Sequence, residues 1–264
     1  MRAPLLIGAV ALALALALLY LPLLAVAIYS VNAARIGLVW QGFTLDWYAR
    51  LFHHQAILEA ARNTLVLALL STAISTALGT LLAFGLERFP WPKRTRRLLE
   101  MVVDLPVVTP DLVFAAALVV AFGLVRALWA GFELGLPTMV IGHVTFQLSF
   151  VALVVRSRLV LIGPTLSEAA RDLYASSWQL FWRVTLPLLW PGIAAGALLA
   201  FTLSLDDFAI SFFTAGPHSD TLAIFIYASL RRGLSPELHA LSTLIFFASA
   251  ALVLGLQRLA WKEN

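Results

Sequence analysis

Residues 162–187 read IGPTLSEAARDLYASSWQLFWRVTLP and separate two long apolar runs of the chain. The stretch is too polar to cross a membrane, and its apolar residues are too regularly spaced for a slack linker. Ser167 is predicted to cap a helix that begins with Glu168, because a hydroxyl accepts hydrogen bonds from free amides and a carboxylate suits the positive end of the helix dipole. Pro187 is predicted to start the next spanning helix. The pattern indicates two short helices on a membrane face, with a plain interfacial connection as the alternative.

The composition of the whole chain is that of an integral membrane protein. Of its 264 residues, 61% are hydrophobic and 12% are charged, whereas a soluble domain averages about 45–50% apolar and about 25% charged residues. The chain contains no cysteine, so it offers neither a disulfide nor a thiolate metal site. We predict one all-α transmembrane domain over residues 1–264.

Six stretches are long and apolar enough to cross a bilayer, which takes about 20 helical residues. The first exceeds the roughly 7–15 residues of a signal-peptide core, so we expect it to remain as a transmembrane helix. The six stretches cover residues 5–29, 64–86, 98–125, 138–161, 188–213 and 238–260.

The basic residues indicate the orientation of these spans. Most of the 18 Lys and Arg residues fall at the two termini and in the connections after the second and fourth stretches. By the positive-inside rule, these parts are cytoplasmic, and so are both termini. The excess of basic over acidic residues therefore reflects membrane topology, and no nucleic-acid partner is expected.

The 162–187 segment resembles the EAA loop of inner-membrane subunits of binding-protein-dependent ABC importers. That loop has the pattern E-A-A-x-x-x-G, followed after a fixed gap by L-P, and the matching positions here are Glu168, Ala169, Ala170, Leu186 and Pro187. The resemblance implies the type I ABC importer permease fold. It also implies that the loop is a coupling helix, which docks into a groove on a cytoplasmic ATPase subunit.

One position departs from the EAA pattern, because Tyr174 stands where the family has glycine. Glycine adopts backbone conformations that a tyrosine resists. We therefore expect the turn between the two short helices to be reshaped. Either the partner ATPase tolerates the reshaped turn, or the coupling between the ATPase and the permease is weaker.

Further motifs resemble the polyamine permeases, and among them the second permease subunit of putrescine and spermidine importers. They are NTLVLAL, PVVTPDLV, GHVTF, FTLSLDDF and SPELHALST, and the likeness extends from about residue 20 to 255. The resemblance implies a multi-pass protein of the bacterial inner membrane that imports a polyamine, putrescine being the first candidate. The implied partners are a second permease subunit, two copies of an ATPase subunit, a periplasmic substrate-binding protein and membrane lipid.

The chain carries no motif for ATP hydrolysis. A phosphate-cradling loop has the form G-x-x-x-x-G-K-[ST], but the two lysines, Lys93 and Lys262, follow Pro92 and Trp261. We expect no enzymatic activity, cofactor or metal on this chain, with ATP and Mg²⁺ held by the partner ATPase. His143 is interpreted as a hydrogen-bonded histidine between helices rather than a catalytic base.

Acidic residues interrupt the apolar runs at Asp104, Asp111 and the adjacent pair Asp206 and Asp207. An ionisable residue at a helix centre costs about 2.5–3.5 kcal/mol on insertion scales and usually faces a cavity or a partner. We interpret Asp111, Asp206 and Asp207 as parts of a polar pathway for a cation, since separated carboxylates replace hydration and still permit release. The alternatives are a hydrated outer end or a salt bridge for the pair, and an arginine partner for Asp104.

Asp111 is the leading candidate because it is placed near the centre of the third span. It follows Pro110, which removes a backbone donor and kinks helices, and Pro106 is expected to add a second break. Broken helices at mid-membrane depth are tolerated where they line a cavity. Adjacent helical residues point about 100° apart, so Asp206 and Asp207 are expected to have separate tasks.

Tyr227 is a candidate for a cation–π contact with an ammonium group. The alternative is a place in the interfacial aromatic belt.

Two other functions stay open at the level of sequence. An ion-coupled secondary transporter would use Asp111 and Asp206 as relays and would need no ATPase, although such proteins often show two related halves, which are not evident here. The same permease scaffold could also carry another solute, such as ferric iron.

Overall fold

The computed structural model describes residues 2–34, 39–163, 165–232 and 236–262, with side chains described within 8–231 and 236–251. Over this part the chain is helical, apart from an isolated antiparallel bridge between Asn32 and Phe43. A π-helical turn, Phe181–Thr185, joins α8 to α9. In chain order the helices are α1 (Arg2–Tyr29), α2 (Asp46–Leu51), α3 (Gln55–Arg88), α4 (Lys93–Val108), α5 (Asp111–Leu128), α6 (Leu136–Ile162), α7 (Thr165–Asp172), α8 (Ser177–Leu180), α9 (Leu186–Asp206), α10 (Ala209–Thr214), α11 (Leu222–Arg232) and α12 (Pro236–Lys262).

The chain divides into two compact units, which are Met1–Leu58 with Phe225–Asn264, and Glu59–Ile224. In the first unit α12 packs against both α1 and α2. The segment after α1 is fixed by the indole of Trp47, which donates to the carbonyl oxygen of Asn32 at 2.8 Å. The buried Ser30 hydroxyl shares a 2.6 Å hydrogen bond with Tyr48. The outer face of α1 carries exposed leucines, as expected of a helix that faces lipid.

Five described helical segments are long and apolar enough to cross a membrane: Gly8–Tyr29, Gln55–Arg88, Asp111–Leu128, Leu136–Ile162 and Ser177–Asp206. The counterpart of the sixth predicted span is α12, whose 27 residues reach about 40 Å at 1.5 Å per residue. Its side chains from residue 252 onward lie outside the described part of the chain. The all-helical membrane fold is confirmed, while the count of six spans and the cytoplasmic termini stay predictions.

The third predicted span, 98–125, is wrong as one continuous helix. Helix α4 ends at Val108, and α5 begins at Asp111. Proline pushes the preceding residue out of the helical region, and Thr109 is accordingly extended with φ −82° and ψ 130°. The expected kink at Pro110 is therefore a complete break, whereas Pro106 lies inside α4 without ending it.

The core of the Glu59–Ile224 unit forms where α6 packs along α9 and α3. Val151 and Val155 of α6 are fully buried with Leu189 of α9 and Ala83 of α3. Close packing needs a small residue at Gly79 of α3, because a Cβ there would lie 2.8 Å from the Cβ of Val151. Lipid gives helices no hydrophobic drive to associate, so such small residues are what let their backbones approach.

An ion-pair network joins the ends of α3, α4 and α6. Arg96 binds Glu87 at 3.0 Å and Glu100 at 3.1 Å, and Arg156 of α6 pairs with the same two carboxylates. The hydrogen bonds from Arg96 and Arg156 lower the pKa of Glu100 below its ordinary value. The network fixes α4, which is not one of the five candidate spans, against α6.

Candidate coupling loop and substrate pathway

The first helix of the coupling loop, α7, begins earlier than the sequence predicted. It covers Thr165–Asp172, so Ser167 lies inside the helix with 9% exposure and is not its cap. Gly163 ends α6 with φ +65°, a conformation that favours glycine. The chain therefore turns immediately after α6 and re-enters helical structure before Ser167 is reached. The prediction of two short helices in this segment is half right, because α7 is a separate short helix whereas α8 continues through the π turn into α9 as part of the Ser177–Asp206 span.

Tyr174 closes α7 in the left-handed conformation, which favours glycine. Its φ is +58°. The Tyr174 amide donates to the carbonyl of Arg171 at 2.9 Å, and the Ala175 amide donates to the carbonyl of Ala170 at 3.0 Å. These two bonds define a Schellman motif with Tyr174 at the position where glycine is favoured. The tyrosine therefore occupies a backbone conformation that favours glycine, and the expected reshaping of the turn stays a prediction.

Helix α7 and the turn that follows it expose several large apolar side chains. Tyr174 is 96% exposed, and Leu173 and Leu166 are also exposed. Glu168 and Ala169 lie on the same short helix with exposed side chains. Exposed apolar groups of this size, rimmed by polar residues, are typical of a surface that binds another protein.

Pro187 lies at the second position of α9, but the helical run starts ten residues earlier, at Ser177. Ser176 opens this run with a capping box, in which its hydroxyl accepts from the Gln179 amide at 3.3 Å. A proline within a helix cannot donate a hydrogen bond and clashes with the carbonyl four residues earlier. The π turn just before α9, where the Leu186 amide reaches back to Phe181, widens the helix at the place where Pro187 would otherwise strain it. The prediction that Pro187 begins the span is therefore wrong, because the helical run begins ten residues before it.

The fifth span ends at Asp206 and not at residue 213. Asp207 is extended, with φ −64° and ψ 126°, and its carboxylate accepts from the amides of Ile210 at 3.2 Å and Ser211 at 2.8 Å. Aspartate side chains that bind nearby amides in this way compete with the continuation of a helix. The chain consequently breaks and restarts as α10.

The carboxylate of Asp207 also faces His143 of α6, whose Nε2 lies 3.2 Å from Oδ2. His143 is 1% exposed and Asp207 is 10% exposed. The Nδ1 atom of His143 is 2.8 Å from the Ser204 hydroxyl, and Ser71 of α3 donates to Ser204 at 3.3 Å. The Nε2 atom also lies 3.0 Å from the Ser211 hydroxyl, so one carboxylate and two hydroxyls surround the two ring nitrogens. The interpretation of His143 as a histidine hydrogen-bonded between helices is confirmed.

Asp206 and Asp111 differ from Asp207 because both are exposed. Asp206 is the last residue of α9. Asp111 is the first residue of α5, with its Oδ1 accepting from the Leu112 amide at 2.9 Å. The placement of Asp111 near the centre of the third span is therefore wrong, because the break at Pro110 leaves it at one end of that span.

Tyr227, the remaining candidate for the pathway, belongs to the Phe225–Asn264 part of the other unit. The guanidinium of Arg231 lies 5.5 Å from the centre of its ring. This distance is within the range of a cation–π interaction. The ring of Tyr227 thus already contacts a cation of the protein, the Arg231 guanidinium.

Sequence reasoning missed the contact between His143 and Asp207. His143 is on α6, whereas Asp207 lies in the break between α9 and α10, and no local pattern links them. The spacing of Asp207 to Ile210 and Ser211 was an available signal, since a carboxylate three or four residues before free amides is typical of a helix start.

The helical arrangement, with the short helix α7 between the fourth and fifth candidate spans, defines a type I ABC importer permease. A solved bacterial alginate ABC transporter, in complex with an alginate pentasaccharide-bound periplasmic protein, shares this fold with a TM-score of 0.73 and 24% identity, covering 96% of this chain and 91% of that chain. The family model of the binding-protein-dependent transport system inner membrane component matches residues 75–260.

Two curated relatives come from Escherichia coli. The spermidine/putrescine transport system permease protein PotC is 36% identical over 242 residues, covering 92% of this chain and 89% of PotC. The putrescine transport system permease protein PotI is 37% identical over 231 residues, covering 87% of this chain and 82% of PotI. The chain belongs to the family of binding-protein-dependent transport system inner membrane components. It is a multi-pass protein of the bacterial inner membrane and a non-catalytic subunit of an ABC importer.

Proposed function

We propose that this chain imports a polyamine, putrescine or spermidine, as one of the two permease subunits of an ATP-driven transporter. The observation that supports this substrate is the likeness to PotC and PotI over about nine tenths of the chain. The fold by itself does not select a solute, since the alginate transporter shares it. The proposed assembly contains a second permease subunit, two copies of an ATPase with bound ATP and Mg²⁺, and a periplasmic binding protein.

Asp206 and Asp111 are the proposed pathway residues. Both carboxylates are exposed at the ends of candidate spans, and within the described residues neither forms an ion pair, so each can exchange water for an ammonium group without first losing a cationic partner. A pathway needs such weak, separated sites, because a cation must leave as easily as it enters. Asp207 instead serves as a structural residue, because His143 and two backbone amides occupy its oxygens.

Reconstitution into liposomes tests the substrate and the energy source together. The chain is combined with its candidate partner subunits, and uptake of labelled putrescine, spermidine and ferric iron is measured with and without ATP. We expect uptake of a polyamine that requires ATP, the ATPase and the binding protein. Uptake by the chain alone under an imposed proton gradient would support the secondary-transporter alternative, and ATP-dependent uptake of iron alone would contradict the polyamine assignment.

Asp111→Asn and Asp206→Asn test the pathway in the same liposomes. Each variant is expected to reduce polyamine uptake at least tenfold, because neutral amides replace the hydration of an ammonium less well, while assembly stays intact. The matched control is Asp104→Asn, which removes an exposed carboxylate from α4, outside the candidate spans. Normal uptake by Asp111→Asn or Asp206→Asn removes that residue from the pathway.

Glu168→Lys tests the proposed docking of α7 on the ATPase. Reversing the charge of this exposed residue is expected to abolish uptake and the stimulation of ATP hydrolysis by the loaded binding protein. Glu133→Lys makes the same change at an exposed residue outside the loop and serves as the control. Unchanged docking and uptake with Glu168→Lys would count against the coupling role of α7.

A further inference from the structure

A cavity of about 190 Å³, open to solvent on one side, lies between the coupling loop and the end of α3. Polar side chains reach it from four elements: Arg88 of α3, Ser167 and Arg171 of α7, Ser177 of α8 and Thr185 of the π turn. The rest of its wall is apolar, so the cavity concentrates its polar groups on one small volume.

The two arginines of this cavity have no carboxylate partner among the residues that the structure describes. Their neighbours Arg96 and Arg156 are both paired with Glu87 and Glu100, so those two acids are already engaged. Arg88 and Arg171 bring two like charges to the same cavity, an arrangement that an anion between them would stabilise.

Hydroxyl groups add donors to the same volume. Ser167 and Thr185 are both less than 10% exposed, and within the described ranges neither hydroxyl forms a hydrogen bond to the protein. The fully enclosed hydroxyls without a partner in the described residues are those of Thr72, Thr76 and Thr80, so the hydroxyls of Ser167 and Thr185 reach the open side of the cavity. Both side chains line the cavity, so a ligand there is able to supply the acceptor that the protein does not.

We propose that this cavity binds a phosphate group. A guanidinium forms paired hydrogen bonds with phosphate oxygens, and the hydroxyls of Ser167 and Thr185 supply donors for the remaining oxygens. The headgroup of an anionic phospholipid and free inorganic phosphate offer the same chemistry. Because Arg88 is on α3 while Arg171 is on α7, the bound group ties the coupling loop to the membrane helix beside it. This site does not depend on which solute the transporter carries.

Thermal unfolding of the full chain in nanodiscs tests the site and separates the two sources. One set of nanodiscs contains phosphatidylcholine alone and receives 10 mM inorganic phosphate or, at equal ionic strength, chloride. The second set contains one quarter phosphatidylglycerol and no phosphate. A ligand that binds only the folded state raises the melting midpoint, and we expect a rise of about 3 °C or more with one of the two anions.

Three variants show whether the rise comes from this cavity. Arg88→Gln and Arg171→Gln are expected to lose at least half of it, and Thr185→Val is expected to lose part of it without changing any charge. The control Arg94→Gln removes an arginine of α4 that does not line the cavity, and it should keep the full rise. A response to phosphatidylglycerol assigns a lipid headgroup and a response to phosphate assigns the free ion. No response to either, or an equal loss in Arg94→Gln, overturns the proposal.

Discussion

The Nε2 atom of His143 and the Oδ2 atom of Asp207 lie 3.2 Å apart in the interior of the Glu59–Ile224 unit. This contact joins α6 to the turn at which α9 ends and α10 begins. It also gives two adjacent acids different roles, because Asp207 is held inside the protein while Asp206 stays exposed. The difference follows from the backbone break between them, which turns only the second carboxylate toward the histidine.

Removing the inner carboxylate should destabilise the protein far more than removing the outer one. Asp207→Ala deletes the acceptor for two amides of α10 and removes the carboxylate that faces the buried His143. We expect the free energy of unfolding to fall by about 2–4 kcal/mol. Asp206→Ala, the matched control, should change stability by less than about 0.5 kcal/mol. Denaturant unfolding of the purified variants in detergent measures both. Equal losses would show that the contact with His143 contributes little.

Two glycines of α3 should respond in opposite directions to the same substitution. Gly79→Ala places a methyl group 2.8 Å from the Cβ of Val151 and 3.1 Å from the carbonyl oxygen of Leu148. Overpacking of this kind typically costs about 1–3 kcal/mol. Gly85→Ala meets no atom within 4 Å and should gain up to about 1 kcal/mol from helix propensity. Melting midpoints of the two variants give the comparison, and destabilisation by both would contradict the close approach of α3 and α6.

Restoring glycine at the EAA position should stabilise the coupling loop. The φ of +58° at Tyr174 costs a side-chain-bearing residue about 1–2 kcal/mol. Glycine avoids this strain but loses more freedom on folding, which leaves a net gain of about 0.5–1 kcal/mol for Tyr174→Gly. Hydrogen exchange of the amides of residues 169–175 is the direct measurement, with slower exchange expected. Leu173→Gly, at a neighbouring residue with an ordinary φ, should instead speed exchange.

The network of Glu87, Arg96, Glu100 and Arg156 should make stability fall at acidic pH. The folded state lowers the pKa of Glu100 below its ordinary value of 4.5. The ionised Glu100 therefore contributes fully to the free energy of unfolding above pH 4.5, and this contribution is lost as the pH falls through the lowered pKa. Melting midpoints from pH 7 to pH 3 should therefore decline less steeply in Glu100→Gln than in the unmodified chain. Glu133→Gln, which removes an exposed acid outside the network, should leave the slope unchanged. A Glu100→Gln profile parallel to that of the unmodified chain would contradict this assignment.

The membrane class, most spans and the position of the coupling loop were predictable because they depend on local properties. Apolar runs of about 20 residues have few alternatives to a spanning helix, and the EAA pattern identified the loop. Predictions failed where helices break. The sequence marked Pro110 and Pro187 as special, but whether a proline ends a helix, kinks it or follows a π turn depends on what the surrounding helices accommodate. Pro106, inside α4, shows that the residue type alone does not decide.

By itself the sequence determined that this chain is a helical membrane protein with an EAA-like loop after its fourth span, because hydrophobic length, charge bias and motifs are all read along the chain. Only the tertiary structure decided which acids are exposed, that Asp207 pairs with His143, and that Tyr174 adopts a glycine conformation. The exposure of the acids and the pairing with His143 depend on groups brought together from different parts of the chain, whereas the turn at Tyr174 is closed by hydrogen bonds to Arg171 and Ala170 of its own helix. A carboxylate becomes structural or accessible according to the donors that packing places around it, and packing is not a local property of the sequence.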